Sequence, residues 1–148
     1  MKKMLLIFNP MAGKQEFVMN LFEVINRFTQ CGFEVTAYPT QGKDDAFRLS
    51  LERGHRFDYI VCSGGDGTLN EVICALMEMQ GQRPMLGYIP SGSTNDYATS
   101  IGIPSDILLA TEAICNGKPR LLDIGQFGES YFTYVAAFGL FTDVSYAT

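Results

Sequence analysis

An α/β fold, with a parallel sheet lying between two helical layers, follows from three features of the sequence. Short apolar runs alternate with segments whose apolar residues recur at helical spacing, over about the first 120 residues. Several of the runs are apolar throughout, the pattern of strands covered on both faces. Three of them exit directly into loops rich in glycine, hydroxyl and amide groups, the place where open α/β sheets hold ligands.

The elements read as follows. Met4 to Phe8 is a first strand, ended by Asn9-Pro10-Met11-Ala12-Gly13. From Gln15 to Thr29, Phe17, Val18, Leu21, Phe22, Val24, Ile25 and Phe28 repeat as one helix, stopped by Cys31-Gly32. Glu34 to Tyr38 alternates like a half-buried strand, and Asp44-Asp45 opens a weaker helix through Leu49 and Glu52. Tyr59 to Cys62 is a short buried strand. Leu69, Val72, Ile73, Leu76 and Met77 mark a strong amphipathic helix after it. Met85 to Ile89 is a fourth strand, closed by Pro90-Ser91-Gly92-Ser93. A short helix is expected from Asp96 to Ser100. Another begins at Ile103-Pro104-Ser105-Asp106 and stops at Asn116-Gly117. Arg120 to Phe127 and Tyr131 to Phe138 then read as two strands around a Gly128-Glu129-Ser130 turn. The expected division is an α/β domain over residues 1–122, with residues 123–148 starting a second, all-β domain.

Composition narrows the function classes. With 148 residues, 47% of them hydrophobic, the chain is long enough to bury a core. Its 11 basic and 16 acidic residues give a net charge of −5, and the basic ones are scattered with no run longer than Lys2-Lys3. A nucleic-acid stripe or a polybasic membrane patch is therefore not expected. No segment approaches the ~18 apolar residues of a membrane-spanning helix. The apolar start stops at Asn9-Pro10, short of the ~7–15 residues of a signal-peptide core. A cytoplasmic protein is expected, peripheral to the inner membrane face at most. Cys31, Cys62, Cys74 and Cys115 form no C-x-x-C pair and His55 is the single histidine, so zinc fingers, disulfide scaffolds and histidine triads are poorly supported. Three of the cysteines sit among apolar neighbours and read as buried free thiols.

The chemistry lies at the three strand exits. In Asn9-Pro10-Met11-Ala12-Gly13-Lys14, glycine lets the backbone approach a ligand, and the helix that follows offers N–H groups to an anion. A plain strand-to-helix turn would use the same residues. In Ser63-Gly64-Gly65-Asp66-Gly67-Thr68-Leu69-Asn70-Glu71, the glycines can form a tight loop whose N–H groups point at phosphate oxygens. Asp66 would be unfavourable beside phosphates unless a divalent cation or a substrate hydroxyl lies nearby, which suggests metal-linked or proton-handling work. Thr68 can cap the helix or bond a phosphate, and the first-turn carboxylate of Glu71 suits the helix dipole. Asp66 as a simple turn former is the alternative; the loop's position between a buried strand and a strong helix favours function. In Pro90-Ser91-Gly92-Ser93-Thr94-Asn95-Asp96, hydroxyls and an amide gather where a nucleotide could be bound, or where Asn95 or Asp96 could merely cap a helix.

Familiar phosphate motifs are absent. Gly13-Lys14, Gly42-Lys43 and Gly117-Lys118 are not followed by Ser or Thr, so there is no Walker P-loop. Asn70 stands where G-x-G-x-x-G needs its last glycine, and G-x-S-x-G does not occur.

Asn9-Pro10 with Gly13, then Gly64-Gly65-Asp66-Gly67-Thr68-Leu69-Asn70-Glu71-Val72, then Pro90-Ser91-Gly92-Ser93-Thr94-Asn95-Asp96-Tyr97-Ala98, closely resemble the diacylglycerol kinase catalytic-domain family. That family takes in bacterial lipid kinases, sphingosine kinases and ceramide kinases. The GGDGT loop also resembles those of NAD kinases and phosphofructokinases; the third motif is the one that is similar to lipid kinases in particular. The resemblance implies a three-layer nucleotide-binding domain followed by a β-sandwich, with transfer of the γ-phosphate of ATP to a lipid hydroxyl in the presence of Mg²⁺. Diacylglycerol at a membrane surface is the first acceptor it implies. An NAD kinase-like enzyme or a non-catalytic nucleotide sensor is the alternative. The resemblance assigns nucleotide contacts to Asn9, Pro10, Gly13, Gly64, Gly65, Gly67, Thr68, Asn70, Glu71, Gly92, Ser93, Thr94 and Asn95, the acidic catalytic position to Asp66, and metal-linked positions to Asp96 and Asp123.

Family members are roughly twice this long, so the chain is expected to carry the nucleotide-binding half and, alone, to bind ATP weakly and turn over negligibly. Aromatic residues around Tyr131, Phe132 and Tyr134 would then belong to an interdomain strand, and their exposure could drive a homodimer.

Overall fold

Strand β1 (Lys2–Phe8) organises the fold, because both of its faces are buried. Met4, Leu6 and Phe8 enter one core and Leu5 and Ile7 the other, as the two-residue period of a strand requires. The computed structural model describes residues 1–93, 95–117, 125–127 and 130–132, with residues 96–97 and the last two segments described by backbone alone.

β2 (Phe33–Pro39), β3 (Tyr59–Gly64) and β4 (Met85–Pro90) join β1 in a parallel sheet of order β2-β1-β3-β4. Helices cover both faces, as the sequence predicts. α1 (Glu16–Met19) and α2 (Leu21–Gln30) bury Phe17, Val24 and Phe28 beneath one face, where α6 (Ile107–Asn116) adds Ile107 and Ala110. α3 (Asp45–Arg53), α4 (Asp66–Glu78) and α5 (Asp96–Ile101) cover the other, through Ala46, Leu49, Leu69, Val72, Ile73 and Ala98. A 3₁₀ turn, Gly54–Arg56, leads from α3 to β3. β5 (Gly125–Phe127) and β6 (Ser130–Phe132) form a separate antiparallel pair.

Two readings change. The helix expected over Gln15–Thr29 is two helices, broken at Asn20 (φ −104°, ψ 6°). The Asn20 side chain donates to the Glu16 carbonyl (2.8 Å), as does its own N–H (3.1 Å), so local amide bonding ends the first helix. Of the cysteines, only Cys62 is fully buried; Cys74 and Cys115 are half-buried and Cys31 is exposed. Cys31 and Cys115, distant in sequence, have adjoining thiols beside the Arg27 carbonyl, which lies 3.9 Å from Cys115 Sγ. Of the two final strands expected, the paired segments 125–127 and 130–132 are present, and the rest of Arg120–Phe138 lies outside the described residues. Among the described residues no helix is long and apolar enough to cross a membrane.

Candidate functional site

The order β2-β1-β3-β4 fixes where a site can form. The chain leaves β1 toward one edge of the sheet and leaves β3 toward the other, so the exits of β1 and β3 diverge and open a crevice between them. All three loops singled out in the sequence end at this edge of the sheet, and they touch.

The contact is made by glycine. A Cβ on Gly92 would stand 2.4 Å from Gly65 Cα, one on Gly13 would stand 2.5 Å from the Ser91 carbonyl oxygen, and one on Gly64 would stand 2.6 Å from Thr68 Oγ1. Gly13 also has φ +53°, a left-handed conformation that favours glycine. Polar bonds complete the stack. Asn9 N donates to the Ser63 carbonyl (3.0 Å), Ser91 N to the Gly64 carbonyl (3.0 Å), and Ser63 Oγ to Ser91 Oγ (2.9 Å). Asn9 Oδ1 accepts from Met11 N (2.9 Å) and so shapes its own loop.

Tyr88 on β4 reaches beneath the stack and donates its hydroxyl to the Gly64 carbonyl at 2.9 Å. Burial raises its ionisation well above the usual tyrosine range, with Cys62 and Asp66 adding to the shift, so Tyr88 remains a donor. Its anchoring role carries no sequence motif: Tyr88 reads simply as one residue of an apolar strand.

α4 starts in this stack. Gly65 is its extended N-cap residue and the first helical bond runs from Leu69 N to the Gly65 carbonyl (3.2 Å). The first-turn N–H groups of a helix have no partner within the helix and meet anions well. Asp66 is the first residue of α4, half-buried, and Gly67 follows it exposed, with open space where a Cβ would be. The helix starts earlier than the sequence suggests, because Gly65 is its cap: Thr68 lies inside it and does not cap it, and Asp66, not Glu71, is its first-turn carboxylate.

Beside the stack lies a cavity of about 310 Å³, at the lower end of small-molecule clefts. Asn9, Thr68 and Glu71, three of the positions that the family resemblance assigns to nucleotide, line it, and Glu71 Oε1 also accepts from Phe47 N at 3.4 Å. Pro10, Gly13, Gly64, Gly65, Gly67, Asn70, Gly92, Ser93 and Asn95 are outside the lining. Of these, Asn95 is a staple of the third loop: its Oδ1 accepts from Gly92 N (2.8 Å) and its Nδ2 donates to the Gly92 carbonyl (3.0 Å). The opposite wall, Thr40 to Lys43, comes from the exit of β2 and was not among the expected site residues. The only sequence signal for it is position, since it too follows a strand and precedes a helix.

Thr94 and Asp123 lie outside the described residues, as does the side chain of Asp96, which opens α5. Among the described residues, no three His, Cys, Asp or Glu side chains gather as a metal cage. The half-buried Asp66 and the cavity-lining Glu71 are carboxylates carried by the first two turns of α4. One or two carboxylates fit a Mg²⁺ that is carried mainly by phosphate oxygens and water.

A parallel sheet whose glycine loops stack at a switch point, around the start of a helix, defines an α/β domain suited to an anionic ligand at its strand exits. The particular family follows from the sequence of those loops. The chain belongs to the diacylglycerol kinase catalytic domain family, whose profile matches residues 3–127. A diacylglycerol kinase of Bacillus subtilis (strain 168) is 41% identical over 148 residues, which is 99% of this chain and 48% of that protein. One from Staphylococcus haemolyticus (strain JCSC1435) is 41% identical over 145 residues, 97% of this chain and 43% of that protein. The crystal structure of a diacylglycerol kinase from Bacillus anthracis str. Sterne is similar with a TM-score of 0.81 at 30% identity, covering 88% of this chain and 45% of that one. The chain spans about half the length of the curated relatives it matches.

Proposed function

We propose that this chain carries the ATP-binding half of a lipid kinase, with the triphosphate over the start of α4 and a lipid hydroxyl, most directly that of diacylglycerol, as acceptor. The observation that carries this reading is the convergence of three glycine loops at the switch point, beside a cavity lined by Asn9, Thr68 and Glu71. Phosphoryl transfer asks little covalent chemistry of a protein and much positioning. In the transfer, the lipid hydroxyl oxygen bonds to the γ-phosphorus, the bond from that phosphorus to the β–γ bridging oxygen breaks, and ADP leaves. The backbone N–H groups of Gly67 and Thr68 face the phosphates, Thr68 Oγ1 adds a donor, and Asp66 takes the hydroxyl proton or organises the cation. A bound Mg²⁺ would neutralise phosphate charge, with Asp66 and Glu71 available to it and Asp96 and Asp123 as further carboxylates that the family resemblance assigns to it. The acceptor lies in a membrane, so the protein works at the cytoplasmic membrane surface.

Calorimetric titration of this chain with ATP in the presence of Mg²⁺ tests the reading directly. Saturable one-site binding that is weakened by Thr68→Ala supports it, and absence of binding up to millimolar ATP overturns it. In a full-length version that includes the second half found in the relatives, transfer of labelled phosphate to diacylglycerol in mixed micelles, compared with transfer to NAD, then separates a lipid kinase from an NAD kinase.

A further inference from the structure

The cavity wall opposite Thr68 comes from the exit of β2, and it is built as carefully as the glycine stack. Thr40 N donates to the Phe8 carbonyl (2.8 Å), tying the exit of β2 to that of β1. Asp45, buried although it is the first residue of α3, accepts from Gln41 N at 2.8 Å through Oδ2 and pairs with Arg48 through Oδ1. Its own N–H closes a turn onto the Gly42 carbonyl (3.3 Å). Within that turn Asp44 has φ 67° and ψ 1°, the values of the third position of a type II turn, so Lys43 occupies the second, a corner. An aspartate held in the left-handed region is uncommon and is kept there by its surroundings.

The turn puts a cation on the cavity wall. Lys43 and Glu71 are the charged residues lining the cavity. The carboxylate nearest to Lys43 in sequence that is buried, Asp45, is already committed to Arg48 and the Gln41 N–H. Lys43 makes no ion pair among the described residues, and Glu71 is engaged with Phe47 N. Lys14, the other lysine near the strand exits, is exposed and outside the lining.

We propose that Lys43 is the phosphate-binding cation of this site and that Asp45 is the positioning residue that holds its turn. The inference rests on the nucleotide reading above and adds to it the residue that distinguishes nucleotides by phosphate charge. A lysine on a turn meets phosphate as a compact, mobile point charge, which sets how strongly affinity rises from AMP to ATP and how steeply it falls with salt.

The test is a competition titration of ATP and AMP, without added lipid, on the full 148-residue chain at two salt concentrations. Lys43→Met is expected to weaken ATP about tenfold, to leave AMP within about twofold, and to flatten the salt dependence of ATP. Lys43→Arg is expected to restore most of the ATP affinity. Asp45→Asn should weaken ATP in the same nucleotide-selective way, at a melting temperature that Lys43→Met does not share. Equal ATP binding by Lys43→Met and the unmodified chain overturns the proposal, as does an equal loss of ATP and AMP. If the unmodified chain binds neither nucleotide, the functional reading itself has failed and this inference falls with it, an outcome distinct from the other two.

Discussion

Gly92 and Gly65 meet backbone to backbone, with a Cβ on Gly92 placed only 2.4 Å from Gly65 Cα, whereas one on Gly65 would find Gly92 Cα at an ordinary 3.5 Å. Two loops that leave neighbouring strands are thus in contact at a place where one extra methyl group does not fit. Gly92→Ala must move one loop, and overpacking of this kind costs about 1–3 kcal/mol. Gly65→Ala should cost less than Gly92→Ala. Urea unfolding of the two variants checks the order; equal stability of Gly92→Ala and the unmodified chain would show that the loops are not held together.

Gly67 provides the opposite case. Nothing lies within 4 Å of where its Cβ would be, and it stands in the first turn of α4. Alanine there is the better helix former by about 0.5–1 kcal/mol, so Gly67→Ala should leave stability unchanged or raise it. On the proposed function, the same methyl would occupy space through which a phosphate approaches the first-turn N–H groups. Binding of ATP should therefore fall at least severalfold while the unfolding midpoint holds or rises. A drop in both would mean that the glycine serves the fold, not a ligand.

The sequence carries the elements better than their arrangement. Apolar runs mark β1, β3 and β4, and helical spacing marks α4 and α6, because each buries a face whose period survives in the residues themselves. The break at Asn20 does not show, since the apolar period continues past it while the amide side chain bonds the Glu16 carbonyl. The order β2-β1-β3-β4 is equally hidden, because pairing depends on contacts remote in sequence. At the site, the glycine loops announce themselves by composition. The wall from Thr40 to Lys43 does not: its shape comes from one buried carboxylate, Asp45, whose partners Gln41 and Arg48 form no recognisable motif.

Asp106 tests how far a sequence-read helix start carries energy. It is the extended N-cap residue of α6, and its Oδ1 accepts from Leu109 N at 2.9 Å. Removal of such a cap costs about 1 kcal/mol, within a range of 0.5–2. Asp106→Ala should lower the unfolding free energy by that amount and Asp106→Ser should recover most of it. ATP affinity should not change, because α6 packs on the sheet face away from α4. An altered affinity in Asp106→Ala would mean that α6 communicates with the strand exits.

Cys62 makes the fold sensitive to alkali. It is fully buried on β3 between Ile7 and Tyr88, and burial pushes its thiol up to about 12 from an ordinary value of 9.0. The folded state therefore holds its proton over a range in which the unfolded chain has lost it. The corresponding stability is complete below about pH 9 and is lost as pH rises from 9 toward 12, at up to ~1.4 kcal/mol per pH unit. Tyr88, also raised by burial, adds to the loss above its ordinary value of 10.0, so the window from pH 9 to 10 isolates the thiols. Cys115, half-buried beside Cys31, is raised in the same direction, first by burial and then by that thiol, and Cys115→Ala removes its share. In that background, urea midpoints of the Cys62→Ala variant should vary less between pH 8.5 and 10 than those of the chain retaining Cys62. Parallel pH profiles for the two would show that Cys62 ionises without unfolding the sheet.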